Sequence, residues 1–245
     1  MASTKDQLVL NDGLLNSHFA EAYRALRANI GFSSIDQPVK TVLVTSAAPR
    51  EGKTTTVINL GIIMAQSGAQ VLIVDADFRR PSLHAILGNE VARKQFWDDS
   101  EFTPPGLSNL IIGNKTFAEV VLPTQFAQLS LLPAGVMPPN PSELLGSERM
   151  RAVVKDLRER ADMVLIDSPP CLLYSDAVVF SRMTDGVLYV LRSGPQDKAA
   201  QRRIQKQLQQ AKARVLGVVF NDAEVEETAG SYAYYYADRG KKRRK

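Results

Sequence analysis

Short apolar runs without polar alternation recur along the chain at "TVLVTS" (41–46), "VLIVDAD" (71–77), "LSLLPA" (129–134), "MVLIDS" (163–168), "GVLYVLR" (186–192) and "RVLGVVFN" (214–221). A strand with one wet face alternates, so continuous runs predict strands covered on both faces, as in a parallel sheet. Helical periods lie between several of them. "TTTVINLGIIMAQSGAQ" predicts a helix that stops near Gly68, and "KAAQRRIQKQLQQAKA" places Ala200, Ile204, Leu208 and Ala211 on one stripe. Upstream, "SHFAEAYRALRANI" carries Phe19, Tyr23, Leu26 and Ile30 at spacings of four, three and four, an amphipathic helix. Glu21, Arg24 and Arg27 share a neighbouring face of it, which pattern alone reads as solvated with a local Glu-Arg pair. Strands alternating with helices predict an α/β fold with a mostly parallel central sheet between helical layers. The stretch "VARKQFWDDSEFTPPG" (91–106) is polar, closes on two prolines and reads as a surface loop.

Composition narrows the class without changing this picture. At 245 residues, 44% hydrophobic and 23% charged, the chain suits one globular α/β domain. No apolar stretch approaches the roughly 18–20 residues of a spanning helix, and "MASTKDQLVLNDG" lacks a signal peptide's hydrophobic centre, so a cytosolic protein is expected. Cys171 is the single cysteine, which excludes a disulfide framework and suggests a small buried side chain. The net charge of +4 belongs to the terminal "KKRRK" (241–245), without which 25 basic residues face 26 acidic ones. With no base-stacking motif or recognition helix beside that tail, nucleic acid is not expected as a partner.

The chemistry-bearing residues gather where the predicted strands end. The first strand runs into "AAPREGKTTT", in which residues 47–54 fit A-x-x-x-x-G-K-T, the P-loop pattern with Ala47 in place of its first glycine. Such a loop cradles phosphate oxygens on inward-facing N–H groups, and the helix that follows aims its positive end at them. Ala47, Ala48, Pro49, Arg50, Glu51, Gly52, Lys53, Thr54 and Thr55 form the candidate ATP-binding segment, with Lys53 on the β- and γ-phosphates and the Thr54 hydroxyl on magnesium. Asp167 ends a buried run before "SPP" and fits the Walker-B carboxylate that holds magnesium through its water shell. An ordinary P-loop hydrolase needs one such carboxylate, whereas this chain adds Asp75 and Asp77 at the end of "VLIVDAD". One of the two can complete the metal shell, and the other can accept a proton from an attacking hydroxyl.

These residues together resemble the bacterial tyrosine kinases, P-loop autokinases of capsule and exopolysaccharide export. The likeness rests on "EAYRALR" as an E-x-x-R-x-x-R motif, "AAPREGKT" as Walker A, "VLIVDADFR" as the family's Walker A′, "VLIDSPP" as Walker B and the tyrosine cluster "YAYYY", with "LPAGVMPPNPSELL" (132–145) also similar. It implies a three-layer α/β/α P-loop fold and ATP with magnesium as cofactors. It also implies catalytic functions for Lys53, Asp75, Asp77 and Asp167, metal contacts from Thr54, Asp77 and Asp167, and an adenine contact from Asn221. Glu21, Arg24 and Arg27 would make the subunit interface of a homo-oligomeric ring, and Tyr232, Tyr234, Tyr235 and Tyr236 would be autophosphorylated. The implied organisation is an assembly segment at 1–38, a kinase domain at 39–228 and a tyrosine-rich basic tail at 229–245.

Arg50 departs from the family pattern by standing where many members carry a small residue, which puts the shape of the phosphate loop in question. The two-helix membrane module of many proteobacterial members is also missing, so the expectation is either an excised domain or a split kinase held at the inner face of the membrane by a separate adaptor. Two alternatives share some of these features. A Min/Par positioning ATPase carries an additional lysine in "KGGxGK[ST]", at the position of Ala48 here. A non-catalytic scaffold would use "YYYADRGKKRRK" on anionic lipid, but the presence of Asp75, Asp77 and Asp167 argues for an active enzyme.

Overall fold

A computed structural model describes residues 9–11, 13–33, 37–88 and 103–223. The tyrosine cluster, the basic tail and most of the 91–106 stretch lie outside the described residues. The described residues form a seven-stranded sheet in the order β3-β4-β2-β5-β1-β6-β7. Its strands are β1 (Thr41–Ser46), β2 (Val71–Asp75), β3 (Leu122–Pro123), β4 (Leu129–Leu132), β5 (Met163–Asp167), β6 (Gly186–Arg192) and β7 (Val215–Asn221). All neighbours pair in parallel except β3 with β4, a two-residue antiparallel edge that the apolar pattern does not announce.

The absence of alternation in the central strands is explained by burial on both faces. Val42, Val44, Ile73, Leu165 and Leu188 point into one core, against α1 (His18–Ser33) and α2 (Lys53–Gln66). Leu43, Leu72, Val74, Val164, Ile166 and Val187 point into the other. That second core is closed by α4 (Leu107–Ile112), α7 (Glu148–Arg160), α8 (Asp176–Ser181) and α9 (Lys198–Gln210). Shorter helices α3 (Leu83–Leu87), α5 (Phe117–Val120) and α6 (Pro141–Leu145) complete the layers. The predicted stripe on α9 contributes Ile204 and Leu208 to the core, and Asp197 caps that helix by accepting the N–H groups of Ala199 and Ala200 at 2.9 and 3.1 Å.

In α1 the buried side is Ala20, Tyr23 and Ile30, and the Tyr23 hydroxyl meets Asn59 and Thr56 of α2. Phe19 stays partly exposed and meets the Tyr23 ring edge-on with centroids 5.2 Å apart. On the neighbouring face Arg24 donates to Glu21 at 2.9 Å and to the Leu15 carbonyl, so within one chain the local Glu-Arg pair forms as the spacing predicts. The parallel strands all end at one edge of the sheet. In open α/β sheets that edge is where ligands bind, and there β1, β2 and β5 deliver the phosphate loop, Asp75 and Asp167 side by side.

Candidate active site

The phosphate loop leaves β1 after Ser46, and α2 opens at Lys53. Gly52 precedes α2 at φ +97°, and a Cβ there would lie 2.0 Å from Asn221 Nδ2, so both backbone and neighbour demand glycine. Arg50 adopts φ +64°, a left-handed conformation that costs a residue with a side chain roughly 1–2 kcal/mol. The side chain at position 50, where the likeness leads one to expect a small residue, is therefore accompanied by backbone strain.

Glu51 puts a negative charge into an anion-binding loop, and the structure shows where that charge goes. Its Oε2 accepts the N–H groups of Ala47 at 2.9 Å and Ala48 at 3.2 Å, so the carboxylate closes the entry of the loop on itself. Its backbone carbonyl accepts the Asn221 amide at 3.1 Å. Asn221, for which the family likeness implies an adenine contact, has its amide engaged as a brace on the phosphate loop. The unpaired N–H groups that open α2, with the helix's positive end behind them, are left for phosphate.

Behind the loop, the "SPPC" segment after β5 is laced to β1. Thr45 Oγ1 donates to the Pro169 carbonyl at 3.0 Å, and the Cys171 and Leu172 N–H groups donate to the carbonyls of Ser46 and Ala47 at 2.8 and 3.3 Å. Cys171 is buried, sits 3.2 Å from Thr45 Oγ1 and has its thiol raised to about 11 by burial, so it is a packing residue as expected and no nucleophile at neutral pH.

The acidic groups stand on adjacent strands in register, Asp75 opposite Asp167. Thr54 Oγ1 donates to Asp167 Oδ2 at 2.6 Å, which joins the first residue after the P-loop lysine to the Walker-B carboxylate. The other oxygen, Asp167 Oδ1, is buried and has no hydrogen-bond partner among the described residues. An orphaned carboxylate oxygen is costly unless a ligand satisfies it. Burial raises the Asp167 carboxyl to about 6, against the pull of the Thr54 hydrogen bond and the Lys53 charge.

The structure gives Asp75 and Asp77 different surroundings. Asp75 is fully enclosed, and it accepts the N–H groups of Asp77 at 3.2 Å, Ser82 at 3.0 Å and Leu83 at 3.1 Å. Burial first, and the Asp167 charge second, push its carboxyl well above the usual range despite those bonds. Asp77, beyond the strand end and half-buried, closes a turn by accepting the N–H groups of Arg79 and Arg80 at 3.2 and 3.0 Å. It too is raised by burial, with the Lys53 charge among the influences that lower it. Lys53 is itself buried, between the loop and these carboxylates.

Thr54, Asp77 and Asp167 offer a hard, all-oxygen donor set, the kind magnesium takes when phosphates and water supply the rest of its shell. Among the described residues no group of three or more His, Cys, Asp or Glu side chains gathers as a self-sufficient metal cage. The fit therefore rests on the Thr54–Asp167 pair and the free oxygen of Asp167. Sequence reasoning missed two features of the site: the inward fold of Glu51, and Asp176, a fully buried carboxylate at the start of α8 that binds Arg79.

A family model described as an AAA domain matches residues 40–193. The chain is 34% identical over 218 residues to the tyrosine-protein kinase YwqD of Bacillus subtilis (strain 168), covering 88% of this chain and 86% of that protein. It is 30% identical over 226 residues to the tyrosine-protein kinase CpsD of Streptococcus agalactiae, covering 91% and 92%. Among solved structures, the chimerical protein CapA2B2 aligns with a TM-score of 0.75 at 32% identity, covering 86% of this chain and 90% of that one.

Proposed function

The chain belongs to the bacterial tyrosine-protein kinases, and from that premise we propose that it moves the γ-phosphoryl group of ATP onto tyrosines of its own tail, across subunits of a homo-oligomer. The observation that carries the reading is the Thr54–Asp167 hydrogen bond with its orphaned Oδ1, set beside Lys53 and a second strand's Asp75 and Asp77. The second pair supplies a proton acceptor for an attacking hydroxyl beside the metal-binding carboxylate.

In the proposed reaction the N–H groups opening α2 and the Lys53 ammonium bind the β- and γ-phosphates, an electrostatic task. Thr54, Asp167 and Asp77 would hold magnesium, whose chemistry when bound is to spread the charge on the β- and γ-phosphates. The tyrosine oxygen forms a bond to the γ-phosphorus as the bond to the β–γ bridging oxygen breaks and ADP leaves. Asp75 takes the phenolic proton, a task suited to a carboxylate whose affinity for protons burial has raised. Because Asp75 is enclosed, the turn at Ser82 and Leu83 that caps it must open for a hydroxyl to reach it.

The substrates in this reading are Tyr232, Tyr234, Tyr235 and Tyr236 in the 229–245 tail, drawn to a neighbouring subunit's acidic site by the cations of 241–245. The 1–38 segment would assemble subunits through Glu21, Arg24 and Arg27 of α1, and 39–228 would be the kinase domain. Among the described residues no helix is long and apolar enough to cross a membrane. The proposed location is the cytoplasmic face of the membrane, through an adaptor protein of a polysaccharide export system. To test the reading, a Lys53→Met chain with its tail is mixed with an active chain truncated after Gly230. Phosphotyrosine on the inactive chain is the expected outcome, and its absence from co-assembled chains would refute transfer between subunits.

A further inference from the structure

Asp176 is a buried charge that the proposed chemistry does not use. It is fully enclosed at the first residue of α8, yet it holds three donors from two other segments of the chain. Arg79 reaches it through Nε at 2.9 Å and Nη2 at 3.3 Å, a two-pronged pair, and the Ser142 hydroxyl of α6 donates to its Oδ1. The guanidinium also lies over the Tyr174 ring, 3.9 Å from its centre. Three segments at the carboxyl edge of the sheet meet at this one carboxylate: the turn after β2, the loop after β5 and the start of α6.

The Arg79 side chain is anchored at one end of a short turn whose other end is Asp77. The backbone N–H groups of Arg79 and Arg80 donate to Asp77 Oδ1, so the position of the Asp77 carboxylate is set by where the backbone at 79 and 80 sits. That backbone is fixed in turn by the Arg79 side chain. A guanidinium paired in two places and stacked on a ring defines a direction as well as a distance, which an ammonium on a flexible stem does not.

We propose that Arg79 and Asp176 form a latch that positions Asp77 in the nucleotide site, tying the Walker A′ turn to the loop after Walker B. Neither residue touches the reacting atoms; both act through Asp77. The inference rests on the proposed role of Asp77 as an oxygen ligand in the magnesium–nucleotide site. The bond from Ser142 to the same carboxylate brings α6 into the latch, so a partner that moved the 132–145 segment would reach Asp77 by this route.

The test uses the intact chain and its Arg79→Ala, Arg79→Lys, Asp176→Asn, Arg79→Ala/Asp176→Asn and Asp77→Asn variants. Two quantities are read: autophosphorylation kcat with the KM for ATP, and the magnesium concentration at half-maximal binding of a fluorescent ADP analogue. A misplacement of about 1 Å at a reacting site costs on the order of 100-fold, so Arg79→Ala is expected to lower kcat by about 10–100-fold with KM for ATP within about threefold. The magnesium midpoint should rise several-fold, Arg79→Lys should recover only part of either loss, and the double variant should be no worse than Arg79→Ala. Wild-type kcat and midpoint in Arg79→Ala, or losses that multiply in the double variant, would overturn the latch. If Asp77→Asn itself leaves both readouts unchanged, the fault lies in the role of Asp77; if Asp77→Asn shifts them and Arg79→Ala does not, it lies in the latch. Should Asp176→Asn fail to fold, Arg79→Ala decides alone, since that side chain is a quarter exposed and its loss opens no buried cavity.

Discussion

Replacing Asp167 with asparagine should stabilise the nucleotide-free protein at neutral pH while weakening its response to magnesium nucleotide. The carboxyl titrates at about 6 in the folded chain and near 3.8 when unperturbed, roughly two units apart and equivalent to about 3 kcal/mol. Between those two values the folded state binds more protons than the unfolded state, so stability falls as pH rises through the window. At pH 7 the full penalty is present; at pH 4.5 about 1 kcal/mol remains. The substituted side chain carries no charge and can still accept from Thr54, but its amide meets no acceptor where Oδ1 is orphaned, a pH-independent cost of about 1–3 kcal/mol. Relief of Asp75, whose carboxyl the Asp167 charge also raises, acts in the favourable direction. The secure quantity is therefore the change with pH: the variant's advantage should shrink by about 2 kcal/mol between pH 7 and pH 4.5, or roughly 4–8 °C in melting temperature for a domain of this size. Thermal unfolding of both proteins without nucleotide, followed by circular dichroism across pH 4.5–8, measures it. A melting difference that does not vary with pH would refute the assignment of Asp167 as a strained, ligand-awaiting carboxylate.

Further outcomes follow from the same geometry. Glu51→Ala should weaken nucleotide binding about tenfold by freeing the Ala47 and Ala48 amides, whereas Glu51→Gln keeps one oxygen for both donors and should bind ADP as well as the wild type or better, read by isothermal titration. Asp75→Asn should spare nucleotide affinity and reduce phosphoryl transfer by about 100-fold or more, and a normal transfer rate would remove Asp75 from the mechanism. Replacing Glu21, Arg24 and Arg27 together with alanine should leave a folded monomer by light scattering; an unchanged oligomer would return that face of α1 to the solvated reading that its internal Glu21–Arg24 pair also fits.

The sheet was legible because its physics is local. Six of the seven strands read from continuous apolar runs, and in five of them burial on both faces accounts for the run; β7, predicted in the same way, instead lies at the sheet edge with Val215, Val218 and Phe220 exposed. The two-residue β3 was not legible, since Leu122 and Pro123 carry no periodicity and owe their pairing to β4. The phosphate loop, Lys53, Thr54, Asp75, Asp77 and Asp167 could be picked out because each sits at the end of a recognisable strand. Their different degrees of enclosure could not. Asp75 and Asp77 are equivalent in sequence, and only the capping of Asp75 by Ser82 and Leu83 shows that one is enclosed and the other half-open. The Arg79–Asp176 pair spans 97 positions of chain, and the "SD" that opens α8 reads locally as a helix start. The contact of Asn221 with the phosphate loop was not legible, as its closeness to Gly52 depends on how the end of β7 meets the loop after β1.

The central claim is that the carboxylates at the sheet edge serve transfer to tyrosine. Its most direct test is to incubate the intact chain with γ-labelled ATP and magnesium and to map the labelled residues by mass spectrometry, beside Lys53→Met. The account predicts phosphotyrosine at Tyr232, Tyr234, Tyr235 or Tyr236 in the wild type and none in Lys53→Met. Free phosphate released at an undiminished rate with no labelled tyrosine, even when the chain is assembled and supplied with the proposed membrane adaptor, would contradict it.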